Sequence, residues 1–182
     1  MELDQHQYYH LYNRTNNREL LFKSEENYRY FKEKYHRYFR NCFKTVAYCL
    51  MPTHFHFLIN VLSLDQLTIK KNLAALLSGY TKSINIRFQR HGSLFQPRTK
   101  ARRVQDDEHL ITVIKYMHQN PVRAGLVNKL EEWPYSSYRG LLGLSHDDLI
   151  DSELVKNLFG TIDEFRIFSE QQILLVKKEE WI

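Results

Sequence analysis

Two histidines separated by one residue, His54 and His56, lie in the segment Met-Pro-Thr-His-Phe-His-Phe-Leu-Ile-Asn-Val that covers residues 51–61. The part after the proline is typical of a strand, in which successive side chains alternate between faces. Both imidazoles then project from one polar face, about 7 Å apart at Cα, and the opposite face is apolar. Neutral imidazoles at this spacing can chelate one divalent ion and leave positions for oxygen ligands. Such pairs also occur on exposed sheets without a ligand, so this spacing leaves both interpretations open.

A tyrosine and an asparagine one helical turn apart form the second candidate. The sequence of residues 107–120, Asp-Glu-His-Leu-Ile-Thr-Val-Ile-Lys-Tyr-Met-His-Gln-Asn, has helical periodicity. At 100° per residue Tyr116 lies roughly opposite Ile114 of the apolar face and shares a polar stripe with Asn120. A core tyrosine would lie on the apolar side, so the helical phase distinguishes Tyr116 from the other tyrosines. A partly exposed structural tyrosine is the alternative.

A basic segment separates these two motifs. Seven Lys or Arg residues and no Asp or Glu occur between residues 82 and 104, and Phe88 and Phe95 interrupt the run. Basic side chains can follow the phosphates of a nucleic acid, and the two phenylalanines are candidates for stacking on bases. A solvated helix face followed by a loop would give the same run.

The periodicities predict strands over 8–13, 43–51, 54–61 and about 95–104, and helices over about 24–40, 65–90 and from Asp106 or Asp107 to Pro121. This order predicts an α+β fold, a ferredoxin- or RRM-like antiparallel sheet with helices packed on one face. Short amphipathic helices over 149–158 and 162–168 predict a helical C-terminal appendage. We therefore expect a catalytic domain over 1–144 and an acidic helical tail over 145–182.

The composition narrows the class of protein. The chain has 182 residues, 43% of them hydrophobic, and a formal net charge of +5, which is typical of one folded domain and excludes disordered and fibrous classes. Residues 145–182 carry nine acids and four bases, a net charge of 4 − 9 = −5, so residues 1–144 carry about +10. The two cysteines match no disulfide or zinc pattern. Without an apparent signal or membrane segment, we expect a cytoplasmic protein.

Taken together, these motifs resemble the HUH-type single-tyrosine transposases of small bacterial insertion sequences, in particular the REP-associated tyrosine transposase branch. The resemblance covers about residues 8–142 and rests on sequence blocks at 9–18, 51–57, 92–98, 116–125 and 133–138. Two positions depart from the pattern. Asn120 stands where the insertion-sequence branch usually has Gln, and Thr15 stands where many relatives have Gly.

The resemblance implies a metal-dependent single-strand DNA endonuclease and transposase that acts in DNA transposition and recombination. Tyr116, as a phenolate or a hydrogen-bonded phenol, would attack single-stranded DNA and form a covalent 5′-phosphotyrosine intermediate. His54, His56 and Asn120 would hold Mg²⁺ or Mn²⁺. The partner would be hairpin-flanked DNA, such as a REP-like element or an insertion-sequence end. We expect a homodimer, with a monomer as the alternative, and no membrane association.

The basic and polar side chains assigned to DNA binding are Asn13, Arg14, Arg18, Lys82, Arg87, Arg90, Arg98, Lys100, Arg102 and Arg103. Three further histidines, His10, His109 and His118, are candidates for the border of the site. Their residue types alone do not separate this role from a structural one.

Three alternatives remain at this point. A non-catalytic RRM-like module would stack RNA bases on surface aromatics, but the His54 strand does not present two aromatics on its histidine face. A metal-dependent phosphodiesterase that uses water would need carboxylates near the histidines, and Asp65 is the only acid close to them in sequence. A domesticated, inactive relative is the third.

Overall fold

The computed structural model describes residues 2–63 and 65–171, and the end of the predicted tail, residues 172–182, lies outside them. The sheet has four antiparallel strands in the order β2-β3-β1-β4. The strands are β1 (Tyr8–Arg14), β2 (Phe43–Met51), β3 (His54–Val61) and β4 (Lys100–Arg103). The helices are α1 (Glu25–Phe39), α2 (Gln66–Arg87), α3 (Asp107–Arg123), α4 (Tyr138–Leu141), α5 (Ser152–Phe159) and α6 (Ile162–Glu170). The predicted α+β fold is confirmed, and β2 and β3 have the predicted bounds.

One face of the sheet packs against α1 and α2, as the apolar alternation in β3 predicts. Phe55, Phe57 and the residues that alternate with the histidines belong to this core. Tyr35 of α1 stacks on Phe57 with ring centroids 3.7 Å apart, and Tyr80 of α2 meets the Phe31 ring edge-on. Phe95 is also buried in this cluster, with 4% of its surface exposed. Phe95 is therefore unable to stack on bases, and that part of the prediction is wrong.

Helix α3 covers the other face of the sheet, an arrangement that the sequence patterns did not predict. Leu110, Ile114 and Met117 of α3 form a second buried cluster with Cys49 of β2 and Leu58 of β3. Because Cys49 pairs with His56 in the sheet register, this cluster borders the two histidines. The helix that carries Tyr116 thus lies above the strand that carries His54 and His56.

Helix α3 begins where predicted but ends later. The Asp106 side chain accepts a hydrogen bond from the His109 amide and caps the helix. The helix continues through Pro121 to Arg123, which corrects the predicted end. Pro121 lacks an N–H and removes one helical bond, but the Ala124 amide still donates to the Asn120 carbonyl. A proline this close to the end of a helix therefore leaves the last turn in place.

The described part of the C-terminal segment packs on the core. Val155 of α5 and Phe165 of α6 belong to the same buried cluster as α3. Phe165 contacts the His118 ring, and the Tyr138 hydroxyl donates to the Glu170 carboxylate at 2.9 Å. The helical character predicted for this segment is confirmed, while the domain boundary at residue 145 stays a prediction. No helix in the described part of the chain is long and apolar enough to cross a membrane.

Candidate functional site

The two histidines of β3 lie side by side beneath α3. The centroids of the His54 and His56 rings are 4.9 Å apart, and the rings are nearly perpendicular at 88°. His56 is 2% exposed and His54 is half-buried. The alternation of side chains predicts this placement, because residues two apart in a strand share a face.

Hydrogen bonds leave one nitrogen of each histidine for a ligand. His10 Nε2 lies 2.8 Å from His56 Nδ1, and Thr53 Oγ1 lies 3.0 Å from His54 Nδ1. Among the residues that the structure describes, neither His54 Nε2 nor His56 Nε2 has a hydrogen-bond partner, and both atoms are buried. A bond at Nδ1 that orients the ring is typical of histidines that ligate a metal through Nε2.

Burial keeps these imidazoles neutral. It lowers the pKa of His54 to about 4 and that of His10 to about 4. It also lowers the pKa of His56 well below its ordinary value of 6.5, an effect that the neighbouring His54 and His10 increase. Neutral imidazole is the form that binds metal ions, so these histidines are in a form that can ligate a metal at neutral pH.

Tyr116 reaches the histidines from α3. Its ring centroid lies 6.2 Å from that of His56, with the rings at 84°, and the Arg123 guanidinium carbon lies 5.5 Å from the Tyr116 ring centroid. Burial raises the pKa of Tyr116 above its ordinary value of 10, while Arg123 and Arg102 act in the opposite direction. The group is a half-buried phenol at neutral pH, with two cations near enough to favour its anion.

Asn120 follows Tyr116 by one turn and is completely buried. In residues 2–63 and 65–171, no hydrogen-bond partner exists for either its amide oxygen or its amide nitrogen. A buried amide without partners costs about 1–3 kcal/mol, and such groups in folded proteins call for a functional or ligand explanation. Its oxygen is a ligand type that hard divalent cations accept.

These donors fit a divalent metal ion. His54 Nε2, His56 Nε2 and the Asn120 oxygen are buried polar atoms without partners in the described chain, and they combine imidazole with amide oxygen. Within that part of the chain, no group of three or more His, Cys, Asp or Glu side chains could hold a metal. A set of three protein ligands that includes the histidine pair would therefore have to draw on another residue type, such as the amide of Asn120.

Strand β1 contributes two residues, His10 and Tyr12, to the face of the sheet that carries His54 and His56. The sequence patterns indicated His10 only as a border residue and did not indicate Tyr12. Tyr12 pairs with His56 in the register, and its ring centroid lies 5.9 Å from that of His56 and 4.8 Å from that of His10. The sequence pattern that could have identified Tyr12 is the alternation within residues 8–14, which puts the His10 and Tyr12 side chains on one face. Only the pairing of β1 with β3 shows that this is the face of His54.

The other two border histidines differ from His10. His118 is buried and its Nε2 lies 2.8 Å from Ser137 Oγ, so it belongs to the packing behind α3. Burial lowers the pKa of His118 to about 3. His109 accepts a hydrogen bond from the Gln105 amide at the start of α3.

The structure brings three of the predicted DNA-binding residues to the histidine face. Arg14 pairs with His54 in the register, and it is one of the groups that lower the pKa of His54, after burial. Lys100 and Arg102 are exposed on β4, at 5.9 Å and 5.8 Å from the Tyr12 ring centroid. These three form a basic rim beside the histidines and Tyr116.

Four other predicted residues have protein partners. Arg90 donates to both carboxylate oxygens of Glu19 at 2.8 and 3.1 Å. The buried Asn13 amide donates to the Gln96 carbonyl and Thr99 Oγ1. Two more interact near the surface: Arg103 with Gln7 and Asp4, and Arg87 with Glu26.

The remaining three predicted residues, Arg18, Lys82 and Arg98, are exposed and lie outside the sheet. Phe88 is half-buried, and Lys23 lies 4.5 Å from its ring centroid. In the turn before Arg18, Thr15 has an ordinary extended conformation, and the left-handed residues are Asn17 and Arg18. Of the basic run, Lys100 and Arg102 therefore lie at the histidine face, and DNA binding by any of these residues stays a prediction.

A further contact network joins α3 to the C-terminal segment. Gln119, next to Asn120, donates through its amide to the Ser169 carbonyl at 2.8 Å and the Gln171 carbonyl at 3.0 Å. Its oxygen accepts a hydrogen bond from Arg123 at 3.0 Å. Helix α6 is thus connected through Gln119 to the guanidinium that lies beside Tyr116.

Comparisons with known proteins identify related sequences and a similar fold. A family model described as "Transposase IS200 like" matches residues 4–120. A curated Haemophilus influenzae protein named for the REP-associated tyrosine transposases is 30% identical over 105 residues, which are 53% of this chain and 59% of that protein. The chain thus spans less than two thirds of the length of this relative.

A solved structure of a REP-associated tyrosine transposase bound to a REP hairpin superimposes with a TM-score of 0.64. The two chains are 15% identical, and the match covers 83% of this chain and 94% of the other. At this identity the similarity concerns the fold.

Proposed function

Since the chain belongs to the IS200-like transposase family, as the match over residues 4–120 shows, we propose that it cleaves and rejoins single-stranded, hairpin-flanked DNA through Tyr116. The observation that carries the proposal is the position of the Tyr116 phenol, whose ring lies 6.2 Å from that of His56. Beside it are buried nitrogen and amide atoms without partners in the described residues. These are the parts that phosphodiester transfer to a tyrosine requires.

In the proposed reaction the Tyr116 oxygen attacks the scissile phosphorus. A bond from the phenol oxygen to phosphorus forms and the bond from phosphorus to the 3′-oxygen breaks, which gives a 5′-phosphotyrosine and a free 3′-OH. The phenol loses one proton and the 3′-oxygen gains one, so the step is balanced without water or ATP. Attack by the 3′-OH of a second strand reverses the step and rejoins DNA.

The charges around Tyr116 suit this role. Burial raises the pKa of the phenol, so the attack has to be assisted as negative charge develops on its oxygen. Arg123 and Arg102 both favour the phenolate anion. The Arg123 guanidinium lies 5.5 Å from the Tyr116 ring centroid, and that of Arg102 lies 5.8 Å from the ring centroid of the neighbouring Tyr12. Fixed cations in a partly buried site stabilise developing charge more than they do in water.

His54, His56 and Asn120 would hold the divalent ion, Mg²⁺ or Mn²⁺. When bound, such an ion supplies charge stabilisation at the phosphate and the leaving oxygen. The protein's own contribution is to keep the imidazoles neutral and oriented, through burial and through the hydrogen bonds that their Nδ1 atoms make with His10 and Thr53. The position of Arg14, Lys100 and Arg102 beside the histidines supports a path for the DNA backbone along this rim.

The test is a covalent-adduct assay with a 5′-labelled or 3′-labelled single-stranded hairpin DNA and Mn²⁺, read on denaturing gels. Wild-type protein should become linked to the DNA fragment downstream of the cut, so the 3′-label should move with the protein and the 5′-label should not. Tyr116→Phe should form no adduct. His56→Ala should also form none while it remains folded. An adduct that persists in Tyr116→Phe would refute the assignment, and DNA binding without any adduct would favour a non-catalytic relative.

Tyr116 and His56 meet within one chain, which supports action of the tyrosine in the protomer that carries the histidines. Mixing Tyr116→Phe with His56→Ala protein tests this. If each chain supplies its own tyrosine, the mixture forms no adduct; restored activity would show that a dimer exchanges α3. The dimer itself and a cytoplasmic location stay predictions.

The RRM-like alternative has less support. An RNA-binding sheet of that kind needs an open face for base stacking, whereas α1 and α2 cover one face of this sheet and α3 packs on the other.

A further inference from the structure

Tyr12 is a second phenol on the face of the sheet that carries the two histidines. It is 4% exposed, and its ring lies beside those of His10 and His56, with centroids 4.8 and 5.9 Å away. Side chains of a strand stand roughly perpendicular to the sheet. The hydroxyl is therefore held away from β1 on the side that α3 covers, where Tyr116 lies.

The Tyr12 hydroxyl has no hydrogen-bond partner among residues 2–63 and 65–171, although the atom is buried. A buried tyrosine hydroxyl usually finds a partner. The neighbour on the opposite face of the same strand does so, because the Tyr9 hydroxyl donates to the Asp4 carboxylate at 2.9 Å. The contrast within one strand leaves the Tyr12 hydroxyl available for a group other than the described residues.

The charges around Tyr12 indicate what that group is. Lys100 and Arg102 place cationic groups 5.9 and 5.8 Å from its ring centroid. Arg14, two residues along β1, faces the same side. A hydroxyl donor next to several cations, and without a carboxylate acceptor within the described hydrogen bonds, is suited to an anion with oxygen acceptors.

We propose that Tyr12 is a further catalytic residue, whose hydroxyl donates a hydrogen bond to a non-bridging oxygen of the phosphate that Tyr116 attacks. This inference rests on the proposed function of Tyr116. Tyr12 keeps its proton throughout: the bond from Tyr116 to phosphorus forms, the bond to the 3′-oxygen breaks, and the hydrogen bond strengthens as charge on the phosphate oxygen rises. Its role is stabilisation of the transition state.

The variant Tyr12→Phe removes one oxygen and keeps the ring beside the two histidines. Because the lost hydroxyl has no partner within the described structure, the variant should fold with a Tm equal to or above that of wild type. Its affinity for the hairpin DNA should stay within about two-fold. The rate of adduct formation at saturating DNA and Mn²⁺ should fall roughly 10- to 100-fold, the usual loss for a hydrogen bond to a charged group. Tyr9→Phe is the matched control on the opposite face and should form the adduct at the wild-type rate.

Sulfur substitution of the scissile phosphate separates contact from indirect effects. In one of the two phosphorothioate diastereomers, sulfur replaces the non-bridging oxygen that accepts the hydrogen bond from Tyr12. Wild-type protein should discriminate between the diastereomers, and Tyr12→Phe should lose a roughly corresponding part of that discrimination, because the two changes remove one interaction.

Three results would overturn the role of Tyr12: a Tyr12→Phe rate within two-fold of wild type, a slow variant that discriminates as wild type does, or a variant that fails to fold. Failure of the proposed function has a different signature, since wild-type protein would then form no adduct or Tyr116→Phe would still form one.

Discussion

Replacing Gln119 with leucine tests whether helix α6 positions helix α3, which carries Tyr116. Gln119 is completely buried and makes three hydrogen bonds, to the carbonyls of Ser169 and Gln171 and from Arg123. Leucine has a similar volume, so a cavity contributes little. The loss of stability arises from the partners of Gln119, because the buried Ser169 carbonyl and the half-buried Arg123 side chain each lose a hydrogen bond.

The size of the effect follows from these partners. A buried acceptor left without a donor costs about 1–3 kcal/mol, and a bond from a charged donor contributes about 1.5–3 kcal/mol before partial exposure of Arg123 reduces it. The carbonyl of Gln171, an exposed residue, can be hydrated. We expect Gln119→Leu to lower the free energy of unfolding by about 2–4 kcal/mol, which is about 4–16 °C in Tm for a chain of this size.

The same variant should also slow adduct formation several-fold, because Arg123 loses one of the contacts that hold it beside Tyr116. Gln119→Glu separates the two effects. A carboxylate still accepts from Arg123 but no longer donates to the Ser169 carbonyl, so stability should fall while the adduct rate is largely kept. The assays are urea unfolding and single-turnover adduct formation, with Gln105→Leu, an exposed glutamine before α3, as the control. A Gln119→Leu protein within about 1 kcal/mol of wild type, with an unchanged adduct rate, would refute the reasoning.

Three further predictions concern the rest of the molecule. Arg102→Gln should weaken binding to single-stranded DNA and reduce the slope of log K against log salt by about 0.7. Arg90 is held by Glu19, so Arg90→Gln should leave that slope unchanged. Salt titrations of the binding constant distinguish the two variants. Phe165→Ala should lower the free energy of unfolding, measured in urea, by about 3–5 kcal/mol, because it leaves a cavity at a buried position against α3. A decrease below about 1 kcal/mol would show that α6 is not part of the core. The hydrogen bond from Arg90 lowers the pKa of Glu19, so Glu19→Gln should be slightly less stable than wild type at pH 7. That difference should disappear in unfolding experiments well below about pH 4, where the wild-type carboxylate is protonated in both states.

The metal-ligand prediction shows how far residue spacing reaches. Alternation in a strand places His54 and His56 on one face, and helical phase separates Tyr116 and Asn120 from the apolar side of α3. Both inferences need only the geometry of one element. The basic run shows the opposite case, because its residues lie on different elements. Lys100 and Arg102 lie beside the histidines, Arg90 is bound to Glu19, and Phe95 is in the core. Composition does not distinguish among these environments.

The sequence by itself determined the order of the elements, the faces of β3 and α3 that carry the candidate site residues, and the resemblance to a transposase family. Only the tertiary structure decided that α3 covers the histidine face, that β1 brings Tyr12 beside His56, and that α6 contacts Gln119. The physical reason is that spacing along the chain fixes the direction of a side chain relative to its own backbone. Which two faces meet depends on strand order and on the burial of apolar surface from distant segments, and this is a property of the whole fold.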